Sequence, residues 1–428
     1  MREMKNSGVE WIGEIPADWK IVKVKQAFFR KNEKAQQENP VVLSLARSGV
    51  KVRDLTANEG QIAESYYNYN PVSIGDLLLN PMDLYSGANC SISKVEGVIS
   101  PAYANLRSKE GYFSNFYNYY FKVQYWMMVL FAHGKGVSFD NRWTLTNETL
   151  MNFPVVAPSL DEQHRIANFL DEKCAKIDAI IEKQKQVIEK LKEYKLSVIT
   201  EAVTKGLDPT VPMKDSGVEW IGEIPEGWKV RKLRYLGSCI NGISKGGEYF
   251  GRGYPFVSYG DVYKNIQLPK QVNGLVDTTE KEREWYSVKE GDVFFTRTSE
   301  TIEEVALTST CMQTIENATF AGFLIRFRPD TDLLVKEFSK YYLRSTKHRA
   351  FFVKEMNLVT RASLSQELLK RLPVLLPPVS EQMEISKYLE QKCSEIDSAI
   401  SKKQAIVEKL TEYKKSLIYE VVTGKREV

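Results

Sequence analysis

Between residues 160 and 204 apolar side chains return every three or four positions. With Ile177 as heptad position a, the a series runs Leu170, Ile177, Gln184, Leu191, Val198 and the d series Ile180, Val187, Tyr194, with Ile181 and Ile188 at e. The same spacing recurs at 379–423, with Leu389, Ile396, Lys403, Leu410, Leu417 at a and Ala399, Ile406, Tyr413 at d. A sustained 3.5-residue repeat predicts two long helices of coiled-coil type. The predicted interhelix seam sets Leu170, Ile177, Ile180, Gln184, Val187, Leu191 and Tyr194 against Leu389, Ile396, Ala399, Lys403, Ile406, Leu410 and Tyr413. Gln184 and Lys403 share one a position, where a polar pair costs stability and fixes register or partner choice. Ser159 and Ser380 precede Asp-Glu-Gln and Glu-Gln as helix-start signals, and Pro158 and Pro377-Pro378 bar helix upstream. A straight helix over Asp161 to Thr204 would be about 66 Å long at 1.5 Å per residue, the length of a spacer.

The two helical segments belong to a larger repeat. SGVEWIGEIPADWK at Ser7 to Lys20 returns as SGVEWIGEIPEGWK at Ser216 to Lys229, and Leu160 to Thr204 aligns without gaps to Val379 to Thr423 with 21 of 45 positions identical. Between these fixed segments, 20–158 and 229–377 differ in length and share only short echoes. Gly75-Asp76 and Gly291-Asp292 each precede an apolar run, which predicts a turn feeding a buried strand. SPAYANLRSK at Ser100 to Lys109 answers ATFAGFLIRF at Ala318 to Phe327, and aromatic-rich helical stretches follow both. The two variable blocks therefore read as one fold with divergent loops, the way a binding specificity changes on a constant scaffold.

Composition narrows the class. A chain of 428 residues with 43% hydrophobic and 27% charged residues is a globular protein of several domains, and it has no run of about 18 apolar residues to span a bilayer. Its N-terminal residues lack the apolar core of a secretory signal, so a cytoplasmic location is expected. Five scattered cysteines without a CxxC pair, and three histidines, leave little to build a metal site from. The net charge of +4 hides a partition: 20–158 carries +4 and 229–377 carries +6, leaving −6 elsewhere. Two basic blocks fit two surfaces for a polyanion. Gly424-Lys425-Arg426 lacks the Ser/Thr and upstream Gly of a phosphate loop, and Asn80-Pro81-Met82-Asp83 holds half of an amino-methyltransferase motif without the glycine loop.

The informative polar residues fall where loops are expected. Reading base edges needs forked or short hydrogen-bonding groups on a rigid scaffold. In the first block these are Ser44, Arg47, Asn80, Tyr85, Ser86, Asn89, Lys135, Ser138 and Arg142; in the second they are Ser258, Tyr259, Arg297, Thr298, Ser299, Thr301, Arg361 and Ser363. Trp11, Trp19, Trp220 and Trp228 read as aromatic anchors that pack a linker against a helix end.

The order variable block, long helix, variable block, long helix, the repeated SGVEWIGEIPxxW and the Pro-Pro-x-x-Glu-Gln at Pro377 to Gln382, looser at Pro158 to Gln163, resemble the specificity (S) subunits of type I restriction-modification systems. The resemblance implies an α+β chain in which two mixed α/β target recognition domains are joined by two long antiparallel coiled-coil-like helices with an internal twofold repeat. Residues 1–158 would be the first recognition domain with its WIGEIP linker, 159–206 the first spacer helix, 207–377 the second linker and domain, and 378–428 the second helix. It further implies a non-catalytic subunit that binds double-stranded DNA, each domain reading half of a split target, and that docks two methyltransferase (M) subunits, with restriction (R) subunits in the full complex. S-adenosylmethionine, ATP and Mg would sit on those partners and no cofactor on this chain. Asp161-Glu162-Gln163-His164-Arg165-Ile166 stands where the second copy has Ser380-Glu381-Gln382-Met383-Glu384-Ile385, so the two docking faces need not be identical. Two other readings stay open: a coiled-coil assembly scaffold without DNA contact, and an enzyme with an unrecognised site.

Overall fold

The computed structural model describes residues 2–56, 63–85, 87, 89–136, 143–299, 304–345, 347–355 and 362–428. The chain divides into two compact units, residues 1–185 with 405–428, and residues 186–404. Each unit therefore takes half of each long helix, α1 (Leu160–Lys205) and α2 (Val379–Val422). Neither helix contains Gly or Pro, and each is followed by a glycine in the left-handed region, Gly206 at φ +78° and Gly424 at φ +73°.

Each unit is built on a four-stranded antiparallel sheet of the same order. In the first unit β1 (Phe28–Arg30), β2 (Leu77–Leu79), β3 (Cys90–Ile92) and β4 (Ala104–Ser108) lie in the order β1-β4-β2-β3. In the second, β5 (Gly237–Asn241), β6 (Val293–Thr296), β7 (Thr308–Thr310) and β8 (Leu324–Pro329) lie in the order β5-β8-β6-β7. The registers correspond: Leu106 faces Leu77 and Arg30, and Phe327 faces Val293 and Cys239. The first core packs Leu77, Leu79 and Leu106 with Phe116, Tyr117, Tyr120 and Phe121 of the helix Ser114–Trp126. The second packs Val293, Phe295 and Phe327 with Phe338, Tyr341 and Tyr342 of the helix Lys336–Tyr342.

The Gly-Asp pairs form the expected turns into β2 and β6, and an ion pair closes each. Gly75 and Gly291 sit at φ +88° and +87°. Asp76 accepts from Ser73 N at 2.8 Å and Arg107 Nε at 3.0 Å, while Asp292 accepts from Lys289 N at 2.7 Å and Arg328 Nε at 2.6 Å. Both carboxylates are buried, so the arginine on β4 or β8 is what makes their burial tolerable. Asp76 has a further partner in Lys31 Nζ at 3.0 Å.

The long helices correct part of the predicted seam. Within the first unit Leu170, Cys174 and Ile177 of α1 share a core with Leu417, Ile418 and Val421 of α2; within the second, Ile199, Ala202 and Val203 share one with Ile385, Leu389 and Cys393. Of the remaining a positions, Ile396 is buried, and Gln184, Leu191, Lys403 and Leu410 are half-buried. The expected d residues lie outside: Ile180 is 45% exposed, Tyr194 57%, Tyr413 50%, with Val187 and Ile406 exposed too and Ala399 half-buried. The e positions do that work, through Cys174, Ile188, Cys393 and Val407, which are buried, and Ile181, which is half-buried. Positions a and e, four and three apart, have the same 3.5-residue period as a and d, so the period alone does not choose the flank. Lys173 and Lys392, at d beside Cys174 and Cys393, break the d series and mark the side that faces water.

All five cysteines are free and buried, and burial pushes the Cys90, Cys239 and Cys311 thiols up to about 12. No helix among the described residues is long and apolar enough to cross a membrane.

Candidate nucleic-acid interface

The site is built outward from the start of each long helix, where a Glu-Gln pair ties three elements together. Trp19 Nε1 donates to Glu162 Oε2 at 2.9 Å in the first unit, and Trp228 Nε1 donates to Glu381 Oε2 at 2.9 Å in the second. The following glutamines are fully buried. Gln163 donates to Pro158 O at 2.9 Å and Gly111 O at 3.1 Å and accepts from Phe113 N at 2.8 Å; Gln382 donates to Pro377 O at 2.9 Å and Leu333 O at 2.8 Å and accepts from Val335 N at 3.1 Å. About two turns on, Tyr119 Oη donates to Asp171 at 2.6 Å and Tyr341 Oη to Glu390 at 2.8 Å. The Lys340 ammonium holds the Glu390 carboxyl below the usual carboxylate range. These bonds fix each sheet, through its packed helix, to a long helix. The loops at the far ends of the strands are thereby carried on a rigid base.

Two of the predicted clusters in each unit are brought together by equivalent backbone bonds. In the first unit Leu145 N donates to Pro81 O at 2.8 Å, which sets the segment after β2 beside the segment that bridges Lys135 and Thr144. Tyr85, 75% exposed, lies 6.0 Å from the Phe131 ring, and Lys135, in the bridged segment, is exposed. In the second unit Leu364 N donates to Arg297 O at 2.7 Å, and Thr298 pairs with Ser363 across a short antiparallel ladder. There Arg297 and Thr298 are half-exposed and Ser363 is exposed.

Other predicted residues lie elsewhere or are engaged in the scaffold. Ser44 and Arg47 belong to a separate hairpin, with Arg47 exposed at its turn. Asn80 is buried, its Oδ1 accepting from Met82 N at 3.0 Å, and Asn89 is buried with Oδ1 unpartnered. Ser258 caps the helix Tyr259–Lys264 in a reciprocal pair with Asp261, and Tyr259 stacks on Tyr263 at 6.0 Å. These bonds account for the Asn80 Oδ1 as a turn acceptor and for the Ser258 hydroxyl as a helix cap. Ser86, Ser138, Arg142, Thr301 and Arg361 lie outside the described residues, as does the side chain of Ser299.

Two surface features escaped the sequence reading. Phe323, 65% exposed, sits in the turn before β8, where its carbonyl accepts from Arg297 N at 2.9 Å. The strand Phe250–Val257 shifts register between Phe250 and Tyr254, and Gly251 and Gly253, at φ +86° and +91°, present Arg252 between exposed Phe250 and Tyr254. The Gly-Arg-Gly spacing was the available signal, since alternating glycines in a strand mark a bulge. An exposed arginine flanked by aromatics is suited to phosphate contact and stacking. Among the described residues no group of three or more His, Cys, Asp or Glu could hold a metal ion.

Residues 225–409 match the model of the type I restriction modification DNA specificity domain. The chain is 26% identical over 319 residues to the type I restriction enzyme StySPI specificity subunit of Salmonella potsdam and 25% identical over 319 residues to the EcoKI specificity subunit of Escherichia coli; each match covers 73% of this chain and 62% of the relative. The MjaVIII specificity subunit of Methanocaldococcus jannaschii is 22% identical over 426 residues, 96% of this chain and 93% of that one. A chain from a structural study of complex assembly and conformational transition of the type I R-M system shares the fold at TM-score 0.72 and 16% identity, covering 96% of this chain and 99% of that one. The HsdS subunit of Thermoanaerobacter tengcongensis does so at TM-score 0.52 and 15% identity, over 96% and 98%.

Proposed function

We propose, from the match of residues 225–409 to the type I restriction modification DNA specificity domain, that the whole chain is a non-catalytic specificity subunit. Each of its units reads one half of a bipartite, asymmetric double-stranded DNA target, and the long helices set the spacing between halves. Methyltransferase subunits dock on the chain, restriction subunits complete the assembly, and S-adenosylmethionine, ATP and Mg act on those partners, in the cytoplasm. One observation carries the reading. The equivalent bonds Leu145 N to Pro81 O and Leu364 N to Arg297 O hold polar and aromatic loop residues at one place in two copies of a fold, yet the residues held there differ. A shared frame with unlike tips is what two different half-sites require. The readers proposed are Tyr85 and Lys135 in the first unit, and Arg297, Thr298, Ser363, Arg252 and Phe323 in the second.

The test is methylome sequencing of a restriction-deficient host that expresses this chain with its cognate methyltransferase subunit, against the methyltransferase subunit alone. A new motif of two short specific halves around a fixed gap, appearing only with this chain, is the expected result. An assembled complex that writes no new motif would transfer the weight to the scaffold or enzyme readings. Arg297→Ala, if the side chain reads a guanine, relaxes one half-site by about 1–3 kcal/mol and leaves the other intact. Uniform weakening would assign Arg297 to phosphate.

A further inference from the structure

The two helix starts differ at one place that the shared frame does not explain. In the first unit Arg2 donates from Nη1 to Glu162 Oε1 at 2.5 Å and from Nη2 to both carboxylate oxygens of Asp18 at 2.7 Å, and its guanidinium carbon stands 5.6 Å from the Trp19 ring centroid. Hydrogen bonding to Glu162 raises the guanidinium above its ordinary value. In the second unit the repeat puts Val211 where Arg2 stands, Gly227 for Asp18, and Glu384 for Arg165, while Glu381 and Trp228 are retained. Among the described residues no cation pairs with Glu381 or Glu384. A cavity of about 340 Å³ remains, lined by Leu207, Asp208, Val211, Trp228, Glu381 and Glu384. That is roughly ten water volumes at about 30 Å³ each, ample for a guanidinium and its methylene stem.

We propose that the second helix start is a vacant guanidinium site, filled by an arginine side chain from a partner protein. The first unit shows what the retained residues hold: a carboxylate on the helix and an indole on the linker grip a planar cation between them. Arginine fits better than lysine because its fork pairs with a carboxylate while its face lies on an aromatic ring. The positive end of the helix dipole opposes a cation equally in both units and does not prevent the Arg2 pair. Asp208 is committed to Thr210, whose N and Oγ1 it accepts at 2.8 and 2.6 Å, so Glu381 is the ligand and Glu384 an outer charge.

The test follows the indole N–H resonances of Trp228 and Trp19 in ¹⁵N-tryptophan-labelled full chain, titrated with N-acetyl-arginine amide and, separately, the lysine analogue. The Trp228 resonance shifts saturably with arginine amide, more weakly with lysine, and Trp19 does not respond. Glu381→Gln weakens the arginine response at least about tenfold, as loss of a charged acceptor predicts. Val211→Arg abolishes it by filling the site from within, and Arg2→Ala makes Trp19 responsive. A silent Trp228, or one indifferent to both Glu381→Gln and Val211→Arg, overturns the site. A second measurement rests on the proposed function: Val211→Arg should weaken binding of a methyltransferase subunit at one of two docking positions at least about tenfold, with Val211→Leu as the control for bulk. An arginine response with undiminished methyltransferase binding would overturn the partner's arginine as the occupant while leaving the site intact.

Discussion

The two units of this chain agree where backbone, indole and amide meet the long helices and disagree where loops meet solvent. Trp19 with Glu162 and Trp228 with Glu381 are the same bond at the same length, and Gln163 and Gln382 each bind three backbone groups in equivalent places. By contrast, the equivalent backbone bonds from Leu145 and Leu364 hold Pro81 in one unit and Arg297 in the other. The fixed part is thus the part in which buried polar groups leave one geometry available, and the free part is the part water can satisfy in many ways.

The comparison can be broken at its buried charges first. Arg328→Ala strands Asp292 and should cost about 3–5 kcal/mol, whereas Arg107→Ala should cost about 1–2 kcal/mol because Lys31 still pairs with Asp76. Urea unfolding with pulsed alkylation tells the units apart, since Cys90 reports the first and Cys239 and Cys311 the second. At pH 8 a thiol with a value of about 12 is thiolate in about one molecule in ten thousand, so labelling waits on opening. Equal costs for the two arginines would mean that Lys31 contributes nothing.

Next come the buried amides. Gln163→Ala and Gln382→Ala should each cost about 2–3 kcal/mol, matched within about 0.5 kcal/mol, by tryptophan fluorescence against urea. A large inequality would show that the equivalence of the helix starts is geometric without being energetic. The smallest effect belongs to the exposed pairs Asp178 with Lys414 and Asp397 with Lys195, each confined to one unit. Asp178→Asn and Asp397→Asn should cost less than about 1 kcal/mol each, and the difference from the parent chain should fade in about 1 M salt.

Much of this frame was legible in the sequence. The repeat of SGVEWIGEIP, the two heptad series and the Gly-Asp turns predicted two long helices, which the structure shows at 46 and 44 residues, and the strands that follow Asp76 and Asp292. The flank of the seam was not legible from period alone. Ile180 and Ile181 are both apolar, and only the neighbouring Lys173 points to the solvent side. The loops were harder, because a polar residue looks the same whether it caps a turn, as Asn80 and Ser258 do, or stands free, as Tyr85 does. Phe323 was hidden for the opposite reason: an apolar residue in an apolar run gives no sign that a turn will expose it.

The partition of the helices also bears on the order in which the chain acquires structure as it is synthesised. Residues 186–404 form a continuous stretch, so the second unit has all its parts once that stretch has left the ribosome. The first unit, although its sheet is made earlier, lacks Leu417, Ile418, Val421 and Val422 until residues 405–428 follow. Its closing contacts span more than 200 residues of sequence, and such loops are slow to close. Structure is therefore completed in the reverse of chain order, and the first unit waits with an open apolar flank until the second is in place.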